Sequence, residues 1–451
     1  MPKRITIIGG GASGTLLAAN LLRTSGDQLL EINLVEKRGD IGRGVAYSTP
    51  DTVHLLNVPA AKMGAFPDDV GHFHTWLQEN GHEYESHSFV PRSIFGEYLN
   101  ETIDKASASS RDNVKLNIFE DDAVDIVREN GKAQVILASG DTLYSEKVVL
   151  AFGNFLPPDP TVGDLAFTDS PKYFRSPWAE GVYESIDNED TVLVIGTGLS
   201  MVDVVMHLFY SPHKARIYAI STRGLLPAVH KLGDTYPSFA HELEGMDRIT
   251  NVLKAVRRHI KKAESENIDW RAVIDSLRPA TQQIWLNLPL AAKRHFKQHL
   301  SRYWNVARHR MPVEAQIVLD RMQTEGRLQI LSGRLNHIDF DARFDVEYRT
   351  EGIESRISVD AIINCIASES NFEKLDSPLV KNLYERGYVR NDALNMGIDA
   401  LPNGIVLGKN GDNSDVIYTL GTALKGVLWE STAVPEIRAQ AHGLARTLLS
   451  E

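Results

Sequence analysis

Two stretches of this chain share one construction. Ile5-Thr6-Ile7-Ile8 runs into Gly9-Gly10-Gly11-Ala12-Ser13-Gly14 and then into an apolar-periodic helix to about residue 22. Val192-Leu193-Val194-Ile195 runs into Gly196-Thr197-Gly198-Leu199-Ser200-Met201 and a helix to about residue 209. Each reads as a buried strand, a glycine-rich turn and a helix, which is the opening of a dinucleotide-binding βαβ unit. The pattern predicts an α/β chain with two Rossmann-like dinucleotide-binding domains.

The parallel continues beyond the openings. Short alternating strands follow the first, at 114–119, 123–128 and 133–138, and an apolar strand closes on small residues at 148–153. After the second come a strand at 328–331, a hairpin over 344–358 and an apolar strand at 361–367. Between about 235 and 327 the periodicity is helical, at 249–263, 270–276, 281–286, 292–304 and 313–324. The expected division is an FAD-binding domain from 1–178 and 367–451. An NADPH-binding domain lies between, at 179–366, with a helical insertion at about 235–327.

The loop chemistry separates the two units. In such a loop the first glycine turns the chain and the second lets backbone approach a pyrophosphate. The third lets the helix pack on the strand, and the helix N-terminus stabilises the negative charge. Gly9, Gly11 and Gly14 fill these places, with Ala12 and Ser13 in the first helical turn. Glu36 ends the next strand, 22 positions after Gly14, where an acid binds a ribose diol. Lys37 follows it. These residues predict FAD.

The second loop departs from that pattern. Gly196, Thr197, Gly198, Leu199 and Ser200 keep the turn, but Met201 replaces the third glycine. The residue 22 positions after Met201 is Arg223, with Ser221 and Thr222 before it. A guanidinium and hydroxyls bind a 2′-phosphate, which an acid would repel. This site is expected to take NADPH, and NADPH is expected to reduce the FAD.

Composition narrows the remaining functions. The 451 residues carry 48 Lys and Arg against 59 Asp and Glu, a net charge of −11, which argues against nucleic-acid binding. Cys365 is the only cysteine, so the chain has no disulfide, no Cys-x-x-Cys pair and no multi-cysteine zinc site. No metal is expected, and electrons must pass to oxygen, a small substrate or a partner. Cys365 itself reads as a packed small hydrophobe. The apolar run at 5–8 is too short for a signal peptide. The most apolar long window, 191–210, carries Gly196, Gly198 and Asp203 and reads as strand, turn and helix rather than a membrane span. A cytoplasmic protein is expected. The basic run 257–262 reads as a solvated helix face.

Gly42-Arg43-Gly44-Val45-Ala46-Tyr47-Ser48-Thr49 resembles a stretch in a bacterial family of FAD/NAD(P)-binding flavoproteins. So do His54-Leu55-Leu56-Asn57-Val58-Pro59-Ala60, Phe89-Val90-Pro91-Arg92, Ser176-Pro177-Trp178 and Leu428-Trp429-Glu430-Ser431-Thr432. The resemblance runs nearly end to end. It implies that Gly44, Val45, Ala46, Leu56, Asn57, Val58, Gly153, Gly421, Trp429 and Ser431 contribute to the cofactor sites. More distantly the chain is similar to class B flavoprotein monooxygenases. There an Asn-x-Pro segment, then Met and Phe-Pro, runs beside the isoalloxazine, and Asn57-Val58-Pro59, Met63 and Phe66-Pro67 resemble that order. This implies that Asn57 is the catalytic residue, at the flavin C4a and N5 edge. A turn-capping role for Asn57 is the alternative.

The Phe-x-Gly-x-x-x-His fingerprint of those enzymes is absent, and Tyr173-Phe174-Arg175-Ser176-Pro177-Trp178 stands in its place. His230 reads as a loop histidine. Arg308, His309 and Arg310 read either as an anion clamp or as the basic end of a helix. The leading expectation is an FAD- and NADPH-dependent monooxygenase that oxygenates a small molecule with molecular oxygen through a C4a-peroxyflavin. The alternatives are an NADPH-dependent flavin reductase or dehydrogenase, and a flavin-bound redox sensor that acts on a partner. The helical insertion offers a surface for a homo-oligomer.

Overall fold

The computed structural model describes residues 2–212 and 214–450. Two sheets carry the two glycine loops, and all their strand pairs are parallel except Ile405–Leu407 with Asn413–Thr419. In space the first sheet runs Ile405–Leu407, Asn413–Thr419, Lys147–Leu150, Lys3–Ile8, Leu30–Val35, Val114–Phe119. The second runs Leu328–Ser332, Arg216–Ser221, Thr191–Ile195, Ala361–Asn364, Tyr173–Phe174. In both, the strand before the glycine loop lies between the second strand of its unit and a later apolar strand, Lys147–Leu150 in the first and Ala361–Asn364 in the second. The shared order is the structural form of the repeat seen in the sequence.

Alternation along the strands builds the layers. Ile5 and Ile7 enter one core, while Ile8 enters the core on the other face. Val149 takes the first side, and Val148 and Leu150 the second. Helices Ala12–Thr24, Arg92–Ala108 and Val434–Ser450 cover the first side. An antiparallel meander (Ala123–Glu129, Lys132–Leu137, Thr142–Ser145) and helix Pro378–Glu385 cover the second. In the second unit Val192 and Val194 face helices Leu199–Tyr210 and Val313–Thr324. Leu193 and Ile195 face a second meander, Arg334–Phe340, Phe344–Thr350 and Ile353–Val359. Burying both faces explains why these strands read as continuous apolar runs.

Three boundaries differ from the sequence reading. The segment before residue 178 does not all pack with the first unit: Tyr173 and Phe174 pair in parallel with Ile362 and Ile363, at the edge of the second sheet. Helix Val313–Thr324 is no part of an insertion. It is the crossover between Arg216–Ser221 and Leu328–Ser332, and Ala315, Val318, Leu319 and Met322 bury in the second core. The helix expected at 292–304 is two, Leu290–His299 and Ser301–Arg308.

The remaining helices form a cluster of their own. Phe239, Val252, Trp285 and Phe296 bury together with Leu394, Met396 and Trp429 from the C-terminal segment. The basic residues Arg257, Arg258, Lys261 and Lys262 stay exposed, as a solvated face requires. Among the described residues no helix is long and apolar enough to cross a membrane.

Candidate functional site

The first glycine loop leaves the end of Lys3–Ile8 and opens helix Ala12–Thr24. Gly9 has φ +107°, and a Cβ there would stand 2.6 Å from the Ala151 oxygen. A Cβ on Gly14 would stand 1.9 Å from the Gly9 oxygen, so only glycine allows this helix so close to its strand. Gly11 is the N-cap and no side chain caps the helix, which leaves its first N–H groups to an outside anion. Gly44, at φ +50°, comes up against Gly11: a Cβ on Gly11 would lie 3.5 Å from the Gly44 Cα. Val45 and Ala46 continue the short helix Gly44–Tyr47.

Glu36 is buried at the end of Leu30–Val35. One carboxylate oxygen accepts the Gly10 N–H at 2.8 Å and the other the Arg38 N–H at 3.1 Å. The acid therefore braces the loop from below and keeps acceptor capacity for a diol. Lys37 is exposed and lies 4.0 Å from Asp122.

The chain end returns to this loop. Gly421, at φ +75°, leaves room for Ser13: a Cβ there would be 2.6 Å from the Ser13 Oγ. Its N–H donates to the Gln440 Oε1 at 2.8 Å. The Thr422 hydroxyl donates to the Phe152 and Gly153 oxygens at 2.7 and 3.0 Å. Ser431 Oγ and Gln440 Nε2 are buried and make no hydrogen bond. Orphaned polar atoms beside a cradle that only glycines permit fit a polar cofactor such as FAD.

The second loop repeats the geometry. Gly196 has φ +115°, and a Cβ there would stand 2.5 Å from the Cys365 oxygen. Gly198 is the uncapped N-cap of helix Leu199–Tyr210, and a Cβ there would meet nothing within 4 Å. Met201 is fully buried in the second core, and Ser200 stays half-buried in the first turn. Thr197 Oγ1 donates to the Leu225 oxygen at 2.6 Å and lies 2.9 Å from Ser221 Oγ. Those hydroxyls shape the loop, while Arg223 is exposed beside them. Cys365 is buried, and burial pushes its thiol well above the usual range.

The segment Leu56-Asn57-Val58 packs on the first core and reaches the second unit. Leu56 is buried and its N–H donates to the Val90 oxygen at 2.8 Å. Asn57 lines a small cavity with Leu55, Arg92, Leu199, Val202 and Asp203, and so lies on the seam of the two units. His230 is more than the loop histidine expected. Its Nε2 donates to the Asn57 main-chain oxygen at 3.0 Å, and its ring lies against Phe89 with centroids 4.8 Å apart. Burial pushes its pKa down to about 4, so the ring is neutral at pH 7.

Arg92 and Asp203 meet on the seam, a pairing the sequence does not show. Asp203 is a lone carboxylate inside the apolar helix Leu199–Tyr210. Burial pushes its pKa up to about 6, against the pull of the Arg92 guanidinium 2.9 Å away. A single acid on a buried helical face was the signal that could have marked it.

Of the basic trio, Arg310 is no anion clamp. It is buried, grips Asp275 at 2.8 and 3.1 Å, and donates to the Ala307 oxygen at 2.8 Å. Arg308 lies 3.6 Å from Glu430 and 3.8 Å from Glu436, with its Nε unpaired. Trp304 Nε1 donates to Glu430 at 2.9 Å, and Arg278 to Glu436 at 2.8 and 3.0 Å. The helical cluster is thus clasped to the segment that holds Trp429 and Ser431. Trp429 packs on Trp285 and Phe296 and adopts φ +62°.

Two sheet units, each opening with a strand, a glycine loop and a helix, define an α/β protein of the two-Rossmann-unit class. More particularly, residues 6–155 match the family model described as FAD-NAD(P)-binding. No curated protein matches the chain in sequence. Solved structures match the whole fold. The ornithine N-hydroxylase of Kutzneria sp. 744, in complex with reduced FAD, NADP+ and L-ornithine, superimposes with TM-score 0.67 at 14% identity, covering 99% of each chain. The L-lysine 6-monooxygenase of Pseudomonas syringae gives 0.64 at 14%, again over 99% of each chain. The bacillithiol disulfide reductase of Bacillus cereus gives 0.55 at 14%, over 100% of this chain and 99% of its own.

Proposed function

We propose that this protein is an FAD-dependent, NADPH-using monooxygenase acting on a small molecule. The observation that carries the reading is Asn57. It stands on the seam between the two units, in the segment that resembles the one beside the isoalloxazine in class B monooxygenases, and His230 from the second unit holds it. The similar folds include N-hydroxylating enzymes and disulfide reductases. One buried cysteine offers no dithiol, which favours the first kind.

Each residue then has a task. Helix Ala12–Thr24 presents uncapped N–H groups to the FAD pyrophosphate, with Gly9, Gly11 and Gly14 admitting it and Glu36 taking a ribose diol. Gly44, Val45 and Ala46 face the same loop, and Gly153, Gly421, Trp429 and Ser431 close the flavin side. Gly196 to Ser200 receive the NADPH pyrophosphate, and Ser221 and Arg223 its 2′-phosphate. FAD held there would supply the two-electron chemistry that links NADPH to oxygen. Asn57 offers an amide to hydrogen-bond at the reacting edge, and the apolar seam around Val53, Leu55 and Met206 keeps water from it.

The test is to reduce the purified flavoprotein with NADPH without oxygen, then mix it with oxygenated buffer. Flavin absorbance and free hydrogen peroxide are followed together. Slow reoxidation, with peroxide released only as the flavin slowly returns to its oxidised form, supports oxygen transfer. Immediate reoxidation with one peroxide per flavin moves the reading to an NADPH-dependent reductase, which turns over its acceptor without oxygen.

A further inference from the structure

Away from both glycine loops, the seam holds a buried nitrogen with no hydrogen-bond partner. His54 is 1% exposed, its Nε2 makes no hydrogen bond, and it faces the Asp51 Oδ2 at 3.8 Å. His207, on helix Leu199–Tyr210 of the other unit, brings its Nδ1 onto that same oxygen. We propose that Asp51, His54 and His207 bind one divalent transition-metal cation of the zinc class, which pins the two units together.

The hydrogen-bond network prepares the ligands. Thr49 Oγ1 accepts the Asp51 N–H at 3.2 Å and lies 2.7 Å from the His54 Nδ1. Assigning the Nδ1 proton to that bond leaves the Nε2 lone pair pointing at a carboxylate. With that tautomer two acceptors face each other, and one cation between them satisfies both. The Val53 N–H holds the other Asp51 oxygen at 3.1 Å, and Tyr183 stacks on the His207 ring at 3.6 Å. Such contacts around a ligand set orient the first shell.

Size and donor type agree. One ligand atom from each residue lies within 4.8 Å of the other two. Tetrahedral zinc, at about 2.1 Å from its ligands, asks for separations of roughly 3.4 Å, which small torsional changes supply. Two imidazoles and one carboxylate suit a borderline cation, not the all-oxygen demands of calcium or magnesium. Asp51 and His207 are about one-fifth exposed, so solvent reaches the open position. Arg92 is nearby, but Asp203 offsets its charge at 2.9 Å. The sequence hides the site, because two ligands come from a loop and the third from a helix far along the chain.

The test uses tag-free flavoprotein, treated with chelator and dialysed, then titrated with Co2+ and with Zn2+. Visible cobalt absorption and metal content after dialysis are read. One equivalent is expected, with affinity lowered at least about tenfold in His207→Asn and in Asp51→Asn. The exposed pair His295 and His299, with ring centroids 4.7 Å apart, is the competing location. Binding should survive His295→Ala and His299→Ala. Circular dichroism checks each variant. Independently of any variant, Zn2+ but not Mg2+ should raise the wild-type melting temperature. No bound cobalt, no zinc-specific shift, undiminished binding in both folded ligand variants, or loss in the His295 or His299 variant would each overturn the site.

Discussion

His230 Nε2 donates to the main-chain oxygen of Asn57 across 3.0 Å, joining a loop of the second unit to the Leu56–Val58 segment of the first. A carbonyl only accepts, so the proton sits on Nε2. Burial holds the ring neutral, with a pKa of about 4 against an ordinary 6.5.

That depression sets a pH dependence. Below pH 6.5 the unfolded chain takes up the proton and the folded one does not, so stability falls as pH drops from 6.5 towards 4. By pH 5 the loss from this one group is on the order of 2 kcal/mol. Urea midpoints at pH 7 and pH 5 should therefore move further in the wild type than in His230→Gln. Equal movement would contradict the assignment.

The glycine loops predict opposite outcomes for the same change. Gly14→Ala forces a Cβ to 1.9 Å from the Gly9 oxygen, and should cost about 2–4 kcal/mol and release the flavin. Gly198→Ala meets no protein atom within 4 Å. It should fold and hold flavin normally, yet weaken NADPH binding, because its methyl occupies the pyrophosphate approach. Flavin content and stopped-flow reduction distinguish the two.

Arg223→Ala should raise KM for NADPH by about tenfold or more, the scale of a charge-assisted hydrogen bond, and leave KM for NADH nearly unchanged. The ratio of the two KM values is the measurement. A ratio that stays put would place the 2′-phosphate elsewhere.

Asn57→Ala should keep flavin and its reduction by NADPH, while less of the NADPH consumed appears as product and more as peroxide. Leu56 and Val58 remain to hold the segment, so the change removes an amide and little packing. Unchanged coupling would return Asn57 to a turn-capping role.

Much of the architecture was legible because its signals are local. Ile5 to Ile8 and Val192 to Ile195 are apolar on both faces, each is followed by glycines, and an uncapped helix comes next. Steric demand at Gly9, Gly14 and Gly196 acts within a few residues or on the neighbouring strand. The strand at Tyr173–Phe174 escaped notice because two residues carry no periodicity, and only Ile362 and Ile363 make them a strand. Helix Val313–Thr324 looked like its helical neighbours until Met322 and Leu319 were seen in the second core.

The sequence by itself determined the two strand–loop–helix openings and the contrast between Glu36 and Arg223 at the same spacing from each loop. Those follow from short-range sterics and from charge at a set spacing. Only the tertiary structure decided what meets across the seam: His230 on Asn57, Arg92 on Asp203, and Asp51 with His54 and His207. Each joins residues more than a hundred positions apart, or a loop to a distant helix. No local pattern encodes such a meeting, because it exists only once both units have folded and buried the faces that bring them together.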